Sequence, residues 1–153
     1  MAQRTIITDE SPKLRKISRE VVDFDDRLHQ LIDDMRETLE YANGAGLAAV
    51  QVGILRRVVL VDVGEGMMEL VNPVVVCAEG EQEVTEGCLS VPGKWGKTKR
   101  PLNVVVKAFD RFGKAFEVEG EGMLALALIH ETDHLEGKLY TDIATDIWED
   151  EEE

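Results

Sequence analysis

The sequence predicts an α+β fold in which antiparallel β-sheets pack around a central buried helix. One observation is an amphipathic helical pattern over residues 24–42, which predicts an N-terminal helix. Another is a series of short β-branched runs separated by turn residues, typical of antiparallel strands. The last is an unbroken apolar stretch, residues 123–129, that runs directly into His130-Glu131-x-x-His134. Because a helix that is apolar on all sides must be buried, we expect sheet on more than one side of it.

The length of 153 residues suits one domain with a substantial core. We place that domain over residues 1–146 and an acidic tail over residues 147–153. Residues 149–153 are all acidic and would repel one another in a compact form, which predicts a frayed, solvated tail. The alternative is that this tail docks on a basic partner.

Composition excludes several classes of protein. The formal charge of -14 argues against sequence-independent binding to nucleic acid. Two cysteines cannot form a disulfide framework, and residues 1–16 lack the apolar core of a signal peptide. No apolar run approaches the length of a membrane span. We therefore expect a soluble cytoplasmic protein with neither a membrane nor a nucleic acid as partner.

The N-terminal helix carries its apolar residues at helical spacing and ends at a turn signal. These residues are Leu28, Leu31, Ile32, Met35 and Leu39. Asn43 and Gly44 follow and are typical of a helix terminus. His29 lies outside the apolar stripe and is interpreted as a surface histidine.

Four β-branched runs follow, at residues 56–63, 69–78, 103–109 and 114–120. The last two flank residues 110–113, a predicted hairpin turn in which Gly113 supplies the left-handed conformation. Cys77 ends one of the runs and is expected to be a small buried hydrophobe. A second helix is predicted to begin at Glu121.

The second helix carries a candidate metal site. Residues four apart share one helical face, so His130 and His134 can both direct imidazole nitrogens at one ion. Glu131 is placed to take a proton from a metal-bound water without being a ligand itself. One large class of zinc proteases has a third histidine where this chain has Tyr140. A third ligand must therefore come from elsewhere.

Cys88 is the predicted third ligand. His29 lies on the wrong face of another helix, and the tail carboxylates are expected to be mobile, which leaves Cys77 or Cys88. Residues 85–93 leave a strand, carry a glycine before Cys88 and are expected to turn at Pro92-Gly93. A thiolate binds borderline-soft divalent metals well. Two imidazoles and a thiolate with an open position form a catalytic arrangement, which predicts hydrolysis of an amide or related carbonyl.

Residues 44–53 are the best source of donors for an oxygen that becomes negative during hydrolysis. The spacing of Gly44, Gly46 and Ala49 superficially matches a dinucleotide fingerprint, but that motif follows a strand and opens a helix. Here it follows a helix and leads into strands, so we reject a nucleotide cofactor. The glycines and the amide of Gln51 suit an extended chain lying against the backbone. The alternative is a plain loop with a solvated glutamine.

Together the segments GAGLAAVQ, EGCLS and HETDH, in this order and spacing, resemble the peptide deformylases. The resemblance covers nearly the whole chain, and only the acidic tail falls outside it. It implies that residues 1–146 form a catalytic domain that hydrolytically removes the formyl group from N-terminal formyl-methionine. N-formyl-methionyl peptides and nascent chains of bacteria or organelles would be its substrates.

The resemblance also implies roles for individual residues. One divalent metal, typically ferrous iron in the cell, would be held by Cys88, His130 and His134, with nickel, cobalt or zinc also able to occupy the site. Glu131 matches the catalytic carboxylate, and Gln51 with the backbone N–H of Leu89 matches the groups that hold the formyl oxygen. The matching peptide-pairing edges are Ala45, Gly46 and Gly87. The matching methionine-pocket residues are Val84, Met123, Leu126 and Ala127.

Glu86 and Arg100 match a supporting carboxylate and arginine pair that would fix the Cys88 strand. The alternative is that Arg100 is an ordinary surface charge. The chain departs from the family by having Val50 and Ile129 where proline and glutamine are usual. Its tail is acidic, whereas some members end in a basic helix used at the ribosome, and this argues against ribosome docking through this terminus.

Two other functions stay open from the sequence. One is a small HExxH metallopeptidase that cuts internal bonds. The other is a binding protein with a structural metal, which would need a fourth protein ligand from Asp133 or Cys77.

Overall fold

The computed structural model describes residues 2–149 and contains two α-helices and eight strands within that range. The helices are α1, Asp26–Ala42, and α2, Met123–Leu135. The first four strands are β1 Gly46–Ala48, β2 Val58–Val61, β3 Met68–Glu79 and β4 Gln82–Cys88. The others are β5 Val91–Arg100, β6 Asn103–Phe109, β7 Ala115–Glu121 and β8 Asp146–Glu149. Short 3-10 helices occupy Pro12–Arg15, Ala49–Val52 and Tyr140–Asp142.

The strands form two antiparallel sheets. One sheet has five strands in the order β1-β2-β3-β6-β7, and the other has three in the order β4-β5-β8. Helix α2 packs on the five-stranded sheet and is hydrogen-bonded to the three-stranded sheet through its polar residues. The predicted α+β class is confirmed. Among the described strands, β1 and β4 lie at the edges of their sheets, so the outer side of each has no neighbouring strand.

Helix α1 forms where the apolar spacing predicts it. The Asp25 side chain accepts a hydrogen bond from the Leu28 N–H at 3.1 Å and so caps the first turn. The helix ends at Asn43, whose φ of 54° is left-handed. All five residues of the predicted stripe are buried, and they pack against β1 and β2. His29 is half-buried rather than free on the surface, because its Nε2 lies 2.8 Å from the Arg111 carbonyl oxygen.

Helix α2 begins two residues later than predicted. Glu121 is the last residue of β7 and pairs with Asn103, so it stays in the sheet. Leu128 is fully buried, but Met123 is 64% exposed, so the apolar run is not buried along its whole length. The exposed start of the helix faces a cavity, which accounts for apolar residues there.

The structure decides three sequence expectations, two about turns and one about Cys77. The hairpin turn at residues 110–113 is confirmed, with Gly113 at a φ of 85°. The turn after Cys88 is Leu89-Ser90 and not Pro92-Gly93, because Cys88 pairs directly with Val91. Cys77 is exposed and not buried, because the end of the long strand β3 extends beyond the core.

The segment placed in the tail is partly ordered in a sheet. Residues 147–149 belong to β8, in which Trp148 pairs with Trp95 and Glu149 pairs with Lys94 of β5. A cross-strand aromatic pair favours this pairing despite the neighbouring acidic charges. The rest of the predicted tail, residues 150–153, lies outside the described residues. Within the part of the chain that is described, no helix combines the length and apolarity needed to cross a bilayer.

Candidate active site

The three predicted ligands converge although they are distant in sequence. Cys88 ends β4, and the two histidines lie one turn apart on α2. Potential ligand atoms of Cys88, His130 and His134 all lie within 4.8 Å of one another. The Cys88 Sγ is 3.3 Å from the His134 Nε2. One sulfur and two nitrogens suit a divalent transition metal with a position left open.

A buried carboxylate orients the first histidine. The His130 Nδ1 lies 2.8 Å from Glu86 Oε1, so Nδ1 carries the proton and Nε2 is available as a ligand. Arg100 donates to Glu86 from Nε at 2.6 Å and from Nη2 at 3.0 Å, and Thr98 also donates to it. Burial would raise the pKa of Glu86, but these hydrogen bonds lower it to about 2. Arg100 is 4% exposed and is therefore not a surface charge.

The buried polar atoms of the site fit a metal ion. Among the described residues, His134 Nδ1 and Glu131 Oε1 are buried without a hydrogen-bond partner. Burial would lower the pKa of His130, but Glu131, Cys88 and Glu86 around it raise the pKa well above its usual value. Burial and the positive charge of His130 lower the pKa of His134. The negative groups that favour a proton on His130 Nε2 would equally favour a divalent cation in its place, and the neutral His134 imidazole offers a second nitrogen.

Neither candidate for a fourth protein ligand reaches the site. Asp133 accepts from Arg100 Nη1 at 2.9 Å. Cys77 is exposed on β3, and its Sγ lies 3.7 Å from Glu79. Among the described residues the ligand group contains three members, as expected for a catalytic rather than a structural site.

Glu131 lies against the backbone of β1. A Cβ added at Gly46 would fall 2.4 Å from Glu131 Oε2, so only glycine leaves room for the carboxylate there. Burial raises the pKa of Glu131, the positive charge of His130 opposes this, and Glu86 and Asp133 add to the increase, giving a pKa of about 7. A carboxyl group with a pKa near neutrality can both accept and return a proton.

Gln51 is held with its amide nitrogen toward the site. It is 1% exposed and lies in the 3-10 helix Ala49–Val52. Its Oε1 accepts from the Ala48 N–H at 2.9 Å, while its Nε2 donates to Ser90 Oγ at 3.1 Å and lies 3.6 Å from Cys88 Sγ. Gln51 is therefore not a solvated loop residue. Leu89 follows Cys88 directly in the β4–β5 turn.

A cavity of about 540 Å³ opens onto these groups. The structure brings most predicted site residues to its wall. These are Ala45, Gly46, Gln51, Glu86, Gly87, Cys88, Leu89, Met123, Leu126, Ala127, His130 and Glu131. Val84 lies outside the lining, one residue before Thr85, where the lining segment of β4 begins. His134 and Arg100 lie behind the wall and contact its residues.

Sequence reasoning did not find Trp95, which also lines the cavity. A Cβ at Gly87 would approach the Trp95 ring to 2.5 Å, so the ring lies directly on the glycine backbone. The only hint in the sequence was Gly87, because a glycine often marks a place where another group packs closely on the backbone. It does not reveal that the group is the Trp95 ring.

Comparisons with known proteins agree with this geometry. Residues 3–149 match the sequence profile of the family described as "Polypeptide deformylase". The chain is 56% identical over 142 residues to a peptide deformylase of Caldicellulosiruptor bescii, covering 93% of this chain and 86% of the relative. The crystal structure of a peptide deformylase from Legionella pneumophila superimposes with a TM-score of 0.91 at 46% identity, covering 94% of this chain and 87% of that one.

A second solved structure, the peptide deformylase from Thermotoga maritima, gives a TM-score of 0.93 at 35% identity. It covers 95% of this chain and 100% of that one. The match to the profile spans nearly the whole chain, and the identities are far above those at which only a fold is shared. The chain therefore belongs to the polypeptide deformylase family.

Proposed function

We propose that this protein hydrolyses the formamide bond of N-terminal formyl-methionine on newly synthesised proteins, with Glu131 as the group that moves protons. The main support for these roles is that Cys88, His130 and His134 lie close together. Glu131 and Gln51 lie beside them on the same cavity. Membership of the deformylase family supports the same reaction.

Cys88, His130 and His134 would hold one divalent metal. Such an ion supplies a Lewis acid that acidifies water and polarises a carbonyl. We propose ferrous iron as the ion used in the cell, and nickel, cobalt or zinc as ions that can replace it. Cysteine and histidine donors bind all four. Metal analysis of protein purified without air tests this assignment.

The chain's own groups account for the proton transfers. Glu131, with a pKa raised to about 7, takes a proton from the attacking water as the new C–O bond forms. Gln51 Nε2 and the Leu89 N–H are the donors for the formyl oxygen as it becomes negative. Glu131 then gives the proton to the departing amine nitrogen as the C–N bond breaks. Formate and a free N-terminus are the products.

The cavity suits an extended peptide that begins with methionine. The cavity wall includes Ala45 and Gly46, at the start of the edge strand β1, on one side and Gly87 of the edge strand β4 on the other. Free strand edges can pair with the backbone of an extended peptide. Apolar Met123, Leu126 and Ala127 form the surface for the methionine side chain. Because formylated chains arise where translation starts, we place the enzyme in the cytoplasm.

The test of the proton-transfer role is Glu131→Gln. General acid–base catalysis contributes roughly 10² to 10⁴ in rate, so kcat/KM on formyl-Met-Ala-Ser is expected to fall by that factor. The metal content should stay unchanged, because Glu131 is not one of the three ligands. Glu136→Gln, at the exposed end of α2, is the matched control and should keep normal activity.

Near-normal turnover by Glu131→Gln would contradict the assigned role. Rapid cleavage of internal bonds in an unformylated peptide by the unaltered protein would indicate a metallopeptidase instead. A metal spectrum with four protein ligands and no exchangeable water would indicate a structural site.

A further inference from the structure

Tyr140 stands at the sequence position where one class of zinc proteases has a third histidine. Its ring lies beside the imidazole of His130. Tyr140 begins the 3-10 helix Tyr140–Asp142 and is 1% exposed. Its ring stacks on the His130 imidazole, with centroids 6.2 Å apart and planes inclined by 24°. Its hydroxyl donates to the Lys94 carbonyl oxygen at 3.1 Å. The hydroxyl therefore has a partner on β5, and it is the ring that stacks on the ligand histidine.

The space for this ring is created by Gly96. A Cβ at Gly96 would lie 2.9 Å from Tyr140 Cε2 and 3.0 Å from the Ala144 Cβ. Gly96 is the cross-strand partner of Glu86, the carboxylate that orients His130. Directly paired residues direct their side chains to the same face of a sheet. Tyr140 and the Glu86 carboxylate therefore lie on one face, and both contact the same imidazole.

The backbone that carries Tyr140 is fixed by its own contacts. Asp142 accepts from the Leu139 N–H at 3.0 Å. It also receives two hydrogen bonds from Arg15, at 2.7 and 2.9 Å. A ring immobilised in this way is suited to hold a neighbouring imidazole in one orientation.

We propose that Tyr140 is a positioning residue for the ligand His130. Its ring holds the plane of the imidazole and keeps water from the His130–Glu86 hydrogen bond, and this sets how tightly the site holds its metal. The inference rests on the metal site proposed above. Outer groups that orient a metal-ligating histidine are typically worth about 10- to 100-fold in metal affinity.

Two substitutions separate the ring from the hydroxyl. Tyr140→Leu removes the aromatic face, and the affinity for Co²⁺ is expected to fall by about 10- to 100-fold. Tyr140→Phe keeps the face and loses only the bond to Lys94. It should lower the melting temperature of the metal-free protein while leaving the Co²⁺ affinity unchanged. A merely structural role for Tyr140 would not produce this difference.

The experiment measures Co²⁺ dissociation constants by competition with a chelator, together with the absorption spectrum of the Co²⁺ protein and the melting temperature without metal. Ile32→Ala is the control, because Ile32 is fully buried in α1 and belongs to a core cluster that contains neither Tyr140 nor any of the three ligands. We expect it to lower the melting temperature without altering affinity or spectrum. In Tyr140→Leu, both affinity and spectrum should change.

Several results would overturn the inference. Unchanged affinity and spectrum in Tyr140→Leu would show that the ring does not position His130. Equal weakening in Tyr140→Phe would assign the effect to the hydroxyl, and equal weakening in Ile32→Ala would assign it to global stability. If Tyr140→Leu does not fold, Gly96→Ala decides, since its Cβ must displace the ring, and unchanged affinity there rejects the proposal. If the unaltered protein binds no Co²⁺, the metal site itself fails and this inference with it.

Discussion

At the scale of one residue, the absence of a side chain at Gly46 leaves room for the carboxylate of Glu131, the proposed proton carrier. A Cβ there would lie 2.4 Å from Glu131 Oε2, 2.7 Å from its Cγ and 2.8 Å from its Cδ. The carboxylate is buried, so it has little room to move aside. The position of Glu131 thus requires glycine at residue 46, which also belongs to the proposed peptide-binding edge.

We expect Gly46→Ala to lower kcat strongly while the protein keeps its metal. The added methyl group forces Glu131 out of place, and a displacement of about 1 Å can cost on the order of 10² in rate. The measurement is kcat on a formyl-methionyl peptide, with Co²⁺ binding as the check that the ligands are intact.

A double variant distinguishes this effect from loss of peptide pairing. If Gly46 acts through Glu131, Gly46→Ala should cause little further loss of kcat in a Glu131→Gln background. A full additional loss in the double variant would mean that the alanine disturbs the substrate edge instead.

The single residues of the site differ in how well sequence predicts them. His130, His134 and Glu131 follow from helical spacing, and Cys88 follows from the chemistry of a third ligand. Tyr140 and Trp95 could not be assigned in this way, because their ring contacts depend on which strands lie next to α2 and β4. Spacing along one element is local information, whereas ring contacts between elements are tertiary.

At the scale of elements, one carboxylate joins α1, β3 and the β6–β7 hairpin. Glu69 of β3 accepts from Arg111 Nε and Nη2 at 2.9 and 2.8 Å and also pairs with Arg36 of α1. Arg111 additionally pairs with Asp33 of α1 at 2.9 Å. The side chain of Glu69 is only 14% exposed. Removing its charge would leave two arginines without their shared partner.

We expect Glu69→Gln to destabilise the fold by about 1 to 3 kcal/mol at neutral pH. Burial would raise the pKa of Glu69, but its bonds to Arg111 and Arg36 outweigh this and lower it. For a lowered carboxyl pKa, the stabilisation is complete above the unfolded value of about 4.3 and is lost as the pH falls through the folded value. The difference between the two proteins should therefore shrink in acid.

Urea unfolding midpoints at neutral pH and over a series of acidic values measure this difference. Glu65→Gln is the control, because Glu65 is exposed in the β2–β3 loop and should show no effect at any pH. A difference for Glu69→Gln that persists unchanged in strong acid would contradict the assigned charge interaction.

Sequence patterns predicted some elements much better than others. Helix α1 and strands β6 and β7 have strong local periodicity, and the structure has them at nearly the expected positions. Strand β5 is rich in glycine and lysine and has no such pattern, yet Gly96, Thr98 and Arg100 alternate as its buried residues. Its conformation is fixed by pairing with β4 and β8, which local propensity does not reveal.

At the scale of the whole molecule, the metal site joins parts that otherwise belong to different layers. Cys88 comes from the three-stranded sheet, while the histidines come from the helix that packs on the five-stranded sheet. An ion bound to all three would therefore connect the two sheets through α2. Such a preformed site is absent from an unfolded chain, so metal binding must add to the free energy of unfolding.

We expect Co²⁺ at about 1,000 times its dissociation constant to stabilise the fold by about 4 kcal/mol. For a chain of this size that corresponds to an increase in melting temperature of about 8 to 16 °C, which a chelator should reverse. Cys88→Ser should lose most of the increase, because a hydroxyl is a poorer ligand than a thiolate. Cys77→Ser is the matched control and should keep it, since Cys77 is exposed on β3 outside the site. Equal increases in all three proteins would mean that the ion binds elsewhere, and the two sheets would then not be linked through Cys88.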